Sequence, residues 1–544
     1  MLIGYVSDEN YVAITGVMVD IESGGRLVET VRSSARGAIH ADIEPGLYSF
    51  VLVRAGFGSK TVDAAADPEQ PLQFRLLSDR LLGYAWPKWV KSGERSEFRV
   101  HSVEPYRLSL WRYGWEKEFV KLYGWFDEHG PRATMQITPD GDYTQAGVQW
   151  NKVGYRSLHH TQFAVGPERS GLYYFHAKTE SGREFFSFPW VVAPAKPTAR
   201  IAVLASTNDW NAYNNFGGRS NYINPVGLPD RPTVNARQDL VRYGRSTFGT
   251  WEPPDEEYKP LSFDRPELGN HIPEHVEASD PIEGRMTCGQ APAEWRLAAW
   301  LEREGLDYDY YAEAQLHDGT LDLDAYRILI ISVHPEYWTR QMYLRVKEWV
   351  HGRGGRLMYL GGNGLNCEVE LLEGGAMRCF SQLVSEGDGS LAMRDPHNPA
   401  IRWESRFHRR FESEANLLGV VTTHTGIMTA APYRCARPEH WSFDGTGLKE
   451  GDLFGIHSLH ERIHGGASGH ETDKMSEHSP KNALMLAKGI NPENGGSEIV
   501  HYETDSGGAV YSVGSINWVH SLLVDDAVSR ITANVIARFD GSAR

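Results

Sequence analysis

The hydrophobic rhythm of the chain changes after Ala193-Pro-Ala-Lys-Pro-Thr198, and that change constrains the fold more than any other feature. Upstream, apolar residues alternate over short runs. Downstream, Ile201-Ala-Val-Leu-Ala205 is a short apolar run that predicts a buried strand, and Ala291 to Glu304 has the 3.6-residue period of an amphipathic helix with Pro292 in its first turn. Arg327-Ile-Leu-Ile-Ile-Ser-Val333 predicts a second buried strand. A helix follows from about Thr339 to His351, then a stop at Gly354-Gly355 and a third strand, Arg356-Leu-Met-Tyr-Leu360. Strands separated by helices of this length pair in parallel, with helices on both faces of the sheet.

The upstream part reads as two β-sandwiches in tandem, 1–78 and 79–194. The first carries β-type runs such as Val17-Met-Val-Asp-Ile21 and Tyr48-Ser-Phe-Val-Leu-Val53, and Pro45-Gly-Leu-Tyr48 onward resembles the closing strands of prealbumin-like, carboxypeptidase-regulatory-like modules. The second repeats a Gly-Leu-Tyr strand at Ser170-Gly-Leu-Tyr-Tyr-Phe-His-Ala177. The expected fold is therefore multi-domain: two N-terminal β-sandwiches followed, over 199–544, by an α/β domain with a mostly parallel sheet like those of amidotransferases and flavodoxins.

The formal net charge of −16 opposes binding to nucleic acid or anionic lipid, and no dense Lys/Arg stripe offsets it, so a small uncharged or cationic substrate is expected. No apolar run approaches the roughly 20 residues of a membrane span. The opening Met-Leu-Ile-Gly-Tyr-Val lacks a basic region ahead of an apolar stretch, which leads us to expect a cytoplasmic protein. Cys288, Cys367, Cys379 and Cys435 show no C-x-x-C spacing, as expected of reduced thiols.

Ligands of doubly wound sheets bind beyond the carboxyl ends of the strands. There the first predicted strand runs into Asn208-Asp-Trp-Asn-Ala-Tyr213, the second into His334-Pro-Glu336-Tyr-Trp338 and the third into Gly361-Gly-Asn363-Gly364. Gly362-Asn363-Gly364 has the shape of a nucleophile elbow, but an amide is no nucleophile; Asn363 suits orientation of substrate or water, unless the segment is only a Gly-rich turn. His334 and Glu336 offer a base and a hard oxygen donor, although Glu336 also suits the N-terminus of the next helix. His457, His460 and His464 fall at i, i+3 and i+7, a spacing that on a helix can hold zinc, with Gly465-Gly466 cutting any helix short. Gly469-His-Glu471-Thr-Asp473 offers a carboxylate for proton transfer, or a solvated loop.

With these residues the chain resembles the large, catalytic subunit of N,N-dimethylformamidase over about Ala199 to Arg538. The likeness is carried by Trp210-Asn-Ala-Tyr213-Asn, Gly217-Gly218-Arg-Ser220, Tyr258 with Leu261-Ser-Phe-Asp-Arg-Pro266, His334-Pro-Glu336-Tyr-Trp338, Gly361-Gly-Asn363 and Gly469-His-Glu471-Thr-Asp473. It implies a mononuclear ferric ion held by Tyr213, Tyr258 and Glu336, with Tyr222 and Tyr243 as rivals for the place of Tyr258. It also implies proton-transfer or supporting roles for His334, Asn363 and Glu471, and a homo-oligomer with a possible small accessory subunit. Two phenolates and a carboxylate are hard anionic donors that suit iron(III) better than zinc or copper. The reaction this predicts is metal-assisted hydrolysis of the carbon–nitrogen bond of a small amide or formamide, Glu471 with His334 moving the proton and Asn363 holding the oxyanion. Two other readings stand beside it: a non-catalytic binding protein with a degenerate amidotransferase-like domain, and a zinc hydrolase built on His457, His460 and His464.

Overall fold

The computed structural model describes residues 1–126, 138–150, 162–234, 258–275, 289–380, 405–423 and 425–542, together with the backbone of 394–395 and 398–402. At the N-terminus, Leu2–Ser7 lies between Ala38–His40 and Leu72–Arg75 in one sheet, and a second sheet runs Arg26–Arg32, Met18–Ser23, Gly46–Arg54, Gly58–Ala66. Alternation sorts their faces: Val19, Ile21, Phe50 and Leu52 of the second sheet share a core with Ile3, Val6 and Phe74 of the first. The next pair sets Arg95–His101 between Leu82–Trp86 and Phe163–Val165, and a five-stranded sheet in the order Lys117–Phe126, Tyr106–Tyr113, Gly171–Thr179, Phe185–Ala193, Trp89–Lys91. Paired sheets of this kind fit β-sandwiches. A single apolar cluster, from Ile3 through Phe98 and Phe175 to Phe216, runs through both pairs.

The largest sheet has nine strands. Asp309–Ala312, Ile201–Ala205, Ile328–Val333, Arg356–Gly361 and Ala509–Ser512 are parallel neighbours in that order. Glu498–Glu503, Leu484–Gly489, Tyr433–Cys435 and Leu453–Phe454 then continue it antiparallel. The sheet is thus mixed, and the mostly parallel architecture expected from the sequence holds for one half. The reason is connection length: only the turn from Thr504 to Gly508 joins Glu498–Glu503 to Ala509–Ser512, whereas a parallel neighbour needs a crossover of about a dozen residues.

The parallel half buries both faces. Ile328 and Ile330 point into a core shared with helices Ala291–Arg303 and Asp526–Asp540, while Leu329 and Ile331 point into one shared with helix Arg340–Arg353. Thr339 caps that last helix, its hydroxyl accepting the Met342 N–H at 3.2 Å, and Gly354 ends it in a left-handed conformation. Glu336 is therefore released from the capping role open to it in the sequence. Among the described residues no helix is long and apolar enough to cross a membrane.

Trp295 ties the helical layer to the strands upstream. It is fully buried, its ring centroid lies 4.6 Å from that of Tyr113, and its indole N–H donates to the Gly114 carbonyl at 2.8 Å. Trp295→Ala should cost about 3–5 kcal/mol, the usual loss for a buried Trp, read as a fall in ΔG from urea unfolding. Because the residue spans two layers, far-UV and near-UV signals should keep falling together in that variant.

Candidate active site

Three strand ends and one loop build the site. Strand Ile201–Ala205 leads through Ser206 into the short helix Thr207–Ala212, with Tyr213 as its C-terminal residue. Strand Ile328–Val333 ends at Val333 with φ 61°, a costly conformation for a β-branched residue, and delivers His334 and Glu336. After Arg356–Gly361, Asn363 takes φ 52°. A side chain on Gly362 would meet the Glu471 carbonyl at 2.4 Å, so its glycine lets the 469–473 loop close onto the Asn363 turn.

Oxygen atoms converge on Glu336, which is 1% exposed. Its Oε2 accepts from the Tyr213 hydroxyl at 3.1 Å and from the Tyr222 hydroxyl at 3.0 Å; the two hydroxyls are themselves 2.8 Å apart. Tyr222 also meets the Tyr337 hydroxyl, and Arg406 pairs with Glu336 Oε1. Burial, reinforced by Glu336, pushes the phenols of Tyr213 and Tyr222 well above their usual range. Tyr258 is 4% exposed and packs in the same apolar cluster as Tyr213, Tyr222 and Tyr337. Tyr243 lies outside the described residues. The sequence ranked Tyr222 only as a rival, yet its hydroxyl is in the oxygen cluster; its position nine residues after Tyr213, on the loop beyond Gly217-Gly218, is the signal that points to it.

His334 lies between carboxylates. Its Nε2 is 2.9 Å from Glu471 Oε2 and 3.4 Å from Glu336 Oε2, and its Nδ1 is 3.4 Å from Asp209 Oδ1. Burial works against the imidazolium, but Asp209, Glu471 and Glu336 outweigh it and hold the pKa up to about 10. Burial likewise works against the Glu471 carboxylate, and His334 outweighs it, bringing the pKa down to about 2. Asp209 is pulled the other way, well up by burial, with Glu336, Glu313 and Glu294 adding to it and His334 opposing. Asn363 extends Nδ2 to 3.5 Å from His334 Nε2, while the Thr422 hydroxyl donates to its Oδ1 at 2.7 Å and Asp473 accepts its backbone N–H at 2.9 Å. Among the described residues, Asp209, His334 and Glu336 form the one group of acidic, imidazole or thiol side chains that brings ligand atoms within 4.8 Å of one another.

The histidine trio is not brought together. No helix forms there; His457 and His464 are exposed, and His460 is buried with Nδ1 accepting the Ile463 N–H at 2.8 Å. Cys367, four residues after Asn363, is buried with its Sγ 3.0 Å from that of Cys379, away from the elbow.

The comparisons with known proteins bear on this geometry. The profile of the family described as "N,N-dimethylformamidase beta subunit-like, C-terminal" matches residues 107–530. The chain belongs to this family. It is similar to the N,N-dimethylformamidase beta subunit of Paracoccus aminophilus, 28% identical over 64% of this chain and 50% of that protein. It is also similar to the beta subunit from Alcaligenes sp, 26% identical over 68% of this chain and 52% of that one. The chain spans about half the length of these curated relatives. The match starts well before residue 199, so the N,N-dimethylformamidase beta subunit-like region takes in strands Tyr106–Tyr113 through Phe185–Ala193 as well as the nine-stranded sheet.

Several residues within the matched region are braces. Arg265, fully buried, donates to the carbonyls of Ser262, Phe216, Arg219 and Asn211; Arg219 donates to Pro225 and Pro260 carbonyls and pairs with Asp142 at 3.0 Å. Together they staple the loop carrying Tyr222 to the helix carrying Tyr213. Beneath that helix, Glu294 accepts from Ser206 N–H, the Trp210 indole and the Tyr310 hydroxyl. Burial raises its pKa from 4.5 to about 7. With the folded value above the unfolded one, its contribution is complete below pH 4.5 and lost as pH rises through about 7, at about 1.4 kcal/mol per unit. Urea midpoints of wild type and Glu294→Gln should accordingly diverge in favour of Gln as pH rises from 5 to 8.

Proposed function

We propose that this chain is the catalytic chain of an amidohydrolase that cleaves the carbon–nitrogen bond of a small amide or formamide with the help of a ferric ion. The observation that carries the reading is the meeting of the Tyr213 and Tyr222 hydroxyls on Glu336 Oε2 within 3.1 Å, beside the His334–Glu471 pair. Membership of the dimethylformamidase family supports a hydrolase of this bond class.

The residues fit a hard trivalent cation by their donor chemistry: among the described residues, the groups that meet Glu336 Oε2 are phenol oxygens and the His334 ring, not thiols. Tyr213 and Glu336 would hold the ion, joined by Tyr258 as the family likeness implies, or by Tyr222, whose hydroxyl already contacts both. When bound, such an ion supplies Lewis acidity toward an amide carbonyl and lowers the pKa of water. Arg406 occupies Glu336 Oε1 and so turns Oε2 toward the phenols. Glu471 takes the proton from the attacking water, with His334 holding the carboxylate ionised, and delivers it to the departing amine. Asn363, its amide oxygen engaged by Thr422, presents Nδ2 to the developing oxyanion. The name "beta subunit" on the curated relatives supports assembly with a second kind of chain, and the small accessory subunit and the homo-oligomer are part of this proposal.

Iron(III)–phenolate ligation absorbs visible light, so the purified protein should be coloured with about one iron per chain. Glu336→Ala should lose iron, colour and turnover of N,N-dimethylformamide together. Glu471→Ala should keep iron and colour while kcat falls about 10²–10⁴-fold. Between Tyr222→Phe and Tyr258→Phe, the one that abolishes the visible band identifies the second phenolate. A colourless protein free of iron that hydrolyses no amide would end the proposal.

A further inference from the structure

Asp209 is 1% exposed, and neither of its carboxylate oxygens accepts a hydrogen bond from any described residue. Two other acids buried beside it are served. Glu294 has three donors, and Glu313 accepts the Asn208 N–H at 2.7 Å. A buried carboxylate without donors is a stability cost, since nothing replaces the water it lost. The helix it belongs to does not need it either: the Asp209 carbonyl, not the side chain, receives the Tyr213 N–H. The charged group facing the carboxylate is the His334 ring, with Nδ1 at 3.4 Å.

An imidazole has two nitrogens on opposite edges, and whatever engages one sets the direction and tautomer of the other. Asp209 stands at the Nδ1 edge; Glu471 Oε2, at 2.9 Å, and Asn363 Nδ2, at 3.5 Å, stand at the Nε2 edge. The strained backbone at Val333 fixes where the ring starts but not its rotation about the side-chain bonds. We infer that Asp209 is a positioning residue that holds the His334 ring so that Nε2 faces Glu471 and the reacting groups. Because Asp209 and Tyr213 sit one turn apart on the same short helix, the ring is thereby indexed to the phenol side of the site. This inference rests on the amidohydrolase reading for its effect on turnover, but not for the ring orientation.

The test uses the full-length chain with its iron, comparing wild type with Asp209→Asn, a neutral isostere. The expected result is unchanged iron content and visible band, KM for N,N-dimethylformamide within about twofold and kcat per folded molecule lower by at least about tenfold. A crystal structure of the variant should show the His334 ring rotated and its Nε2–Glu471 contact broken. A purely structural acid predicts the reverse, a lower Tm or a chain that fails to fold, with kcat per folded molecule unchanged. Loss of iron from a folded variant would make Asp209 a ligand instead, and an unmoved ring with kcat within twofold would overturn the inference outright. If wild type itself hydrolyses no amide, the function proposed above fails, while the ring position in the variant still decides the role of Asp209.

Discussion

A single buried guanidinium, that of Arg265, conditions most of what surrounds the site. Among the described residues it pairs with no carboxylate; instead it converges on the backbone carbonyls of Asn211, Phe216, Arg219 and Ser262 and on the Asn211 side chain. Burial brings its pKa down to about 9, which still leaves it charged at neutral pH. A cation solvated by main-chain dipoles stiffens the chain that supplies them, because every carbonyl turned away leaves the charge less compensated. Those carbonyls belong to the end of the Tyr213 helix, the loop toward Tyr222 and the strand Leu261–Ser262. The phenols that meet Glu336 are held in place by this network.

The fold is legible in the sequence where one local signal decides the element. Ile201–Ala205, the Ala291 helix, the strand ending at Val333 and the strand starting at Arg356 lie where period and breakers put them, because each is a continuous apolar or 3.6-period run. The antiparallel half of the sheet was not legible: Tyr433–Cys435 and Leu453–Phe454 are too short to carry a period, and their pairing depends on neighbours far along the chain. The histidine trio misled for a related reason, since i, i+3, i+7 spacing means proximity only on a helix, and Gly455, Gly465 and Gly466 take backbone angles that no helix has.

At the site itself, residues in the segments that follow strand ends are legible in the sequence: Tyr213, His334, Glu336 and Asn363 accord with the rule that parallel strands present ligand groups beyond their carboxyl ends. Asp209, Tyr337 and Arg406 were not singled out, although two of them stand inside segments already marked. Their importance lies in side-chain direction, and direction depends on the packing of a six-residue helix and on the short helix Arg406–Arg410, which begins seventy residues downstream of Glu336. An acid in a first helical turn reads as an ordinary dipole partner until its burial is known.

The strands upstream of the nine-stranded sheet hold the segment from Asp264 to Glu267 through charges kept out of water. Arg99 meets Asp264 at 2.7 Å, the Tyr84 hydroxyl donates to the same carboxylate at 2.5 Å, and Lys88 meets Glu267 at 3.1 Å, with Arg265 of the central network between the two acids in sequence. Ion pairs this enclosed are asymmetric: either partner alone is a stranded charge. In evolutionary terms the front modules cannot be traded as independent cassettes. A lineage that replaced them would have to bring its own basic residues to Asp264 and Glu267, or neutralise both acids in the same step, so variation at the front of such proteins should track variation in this short stretch.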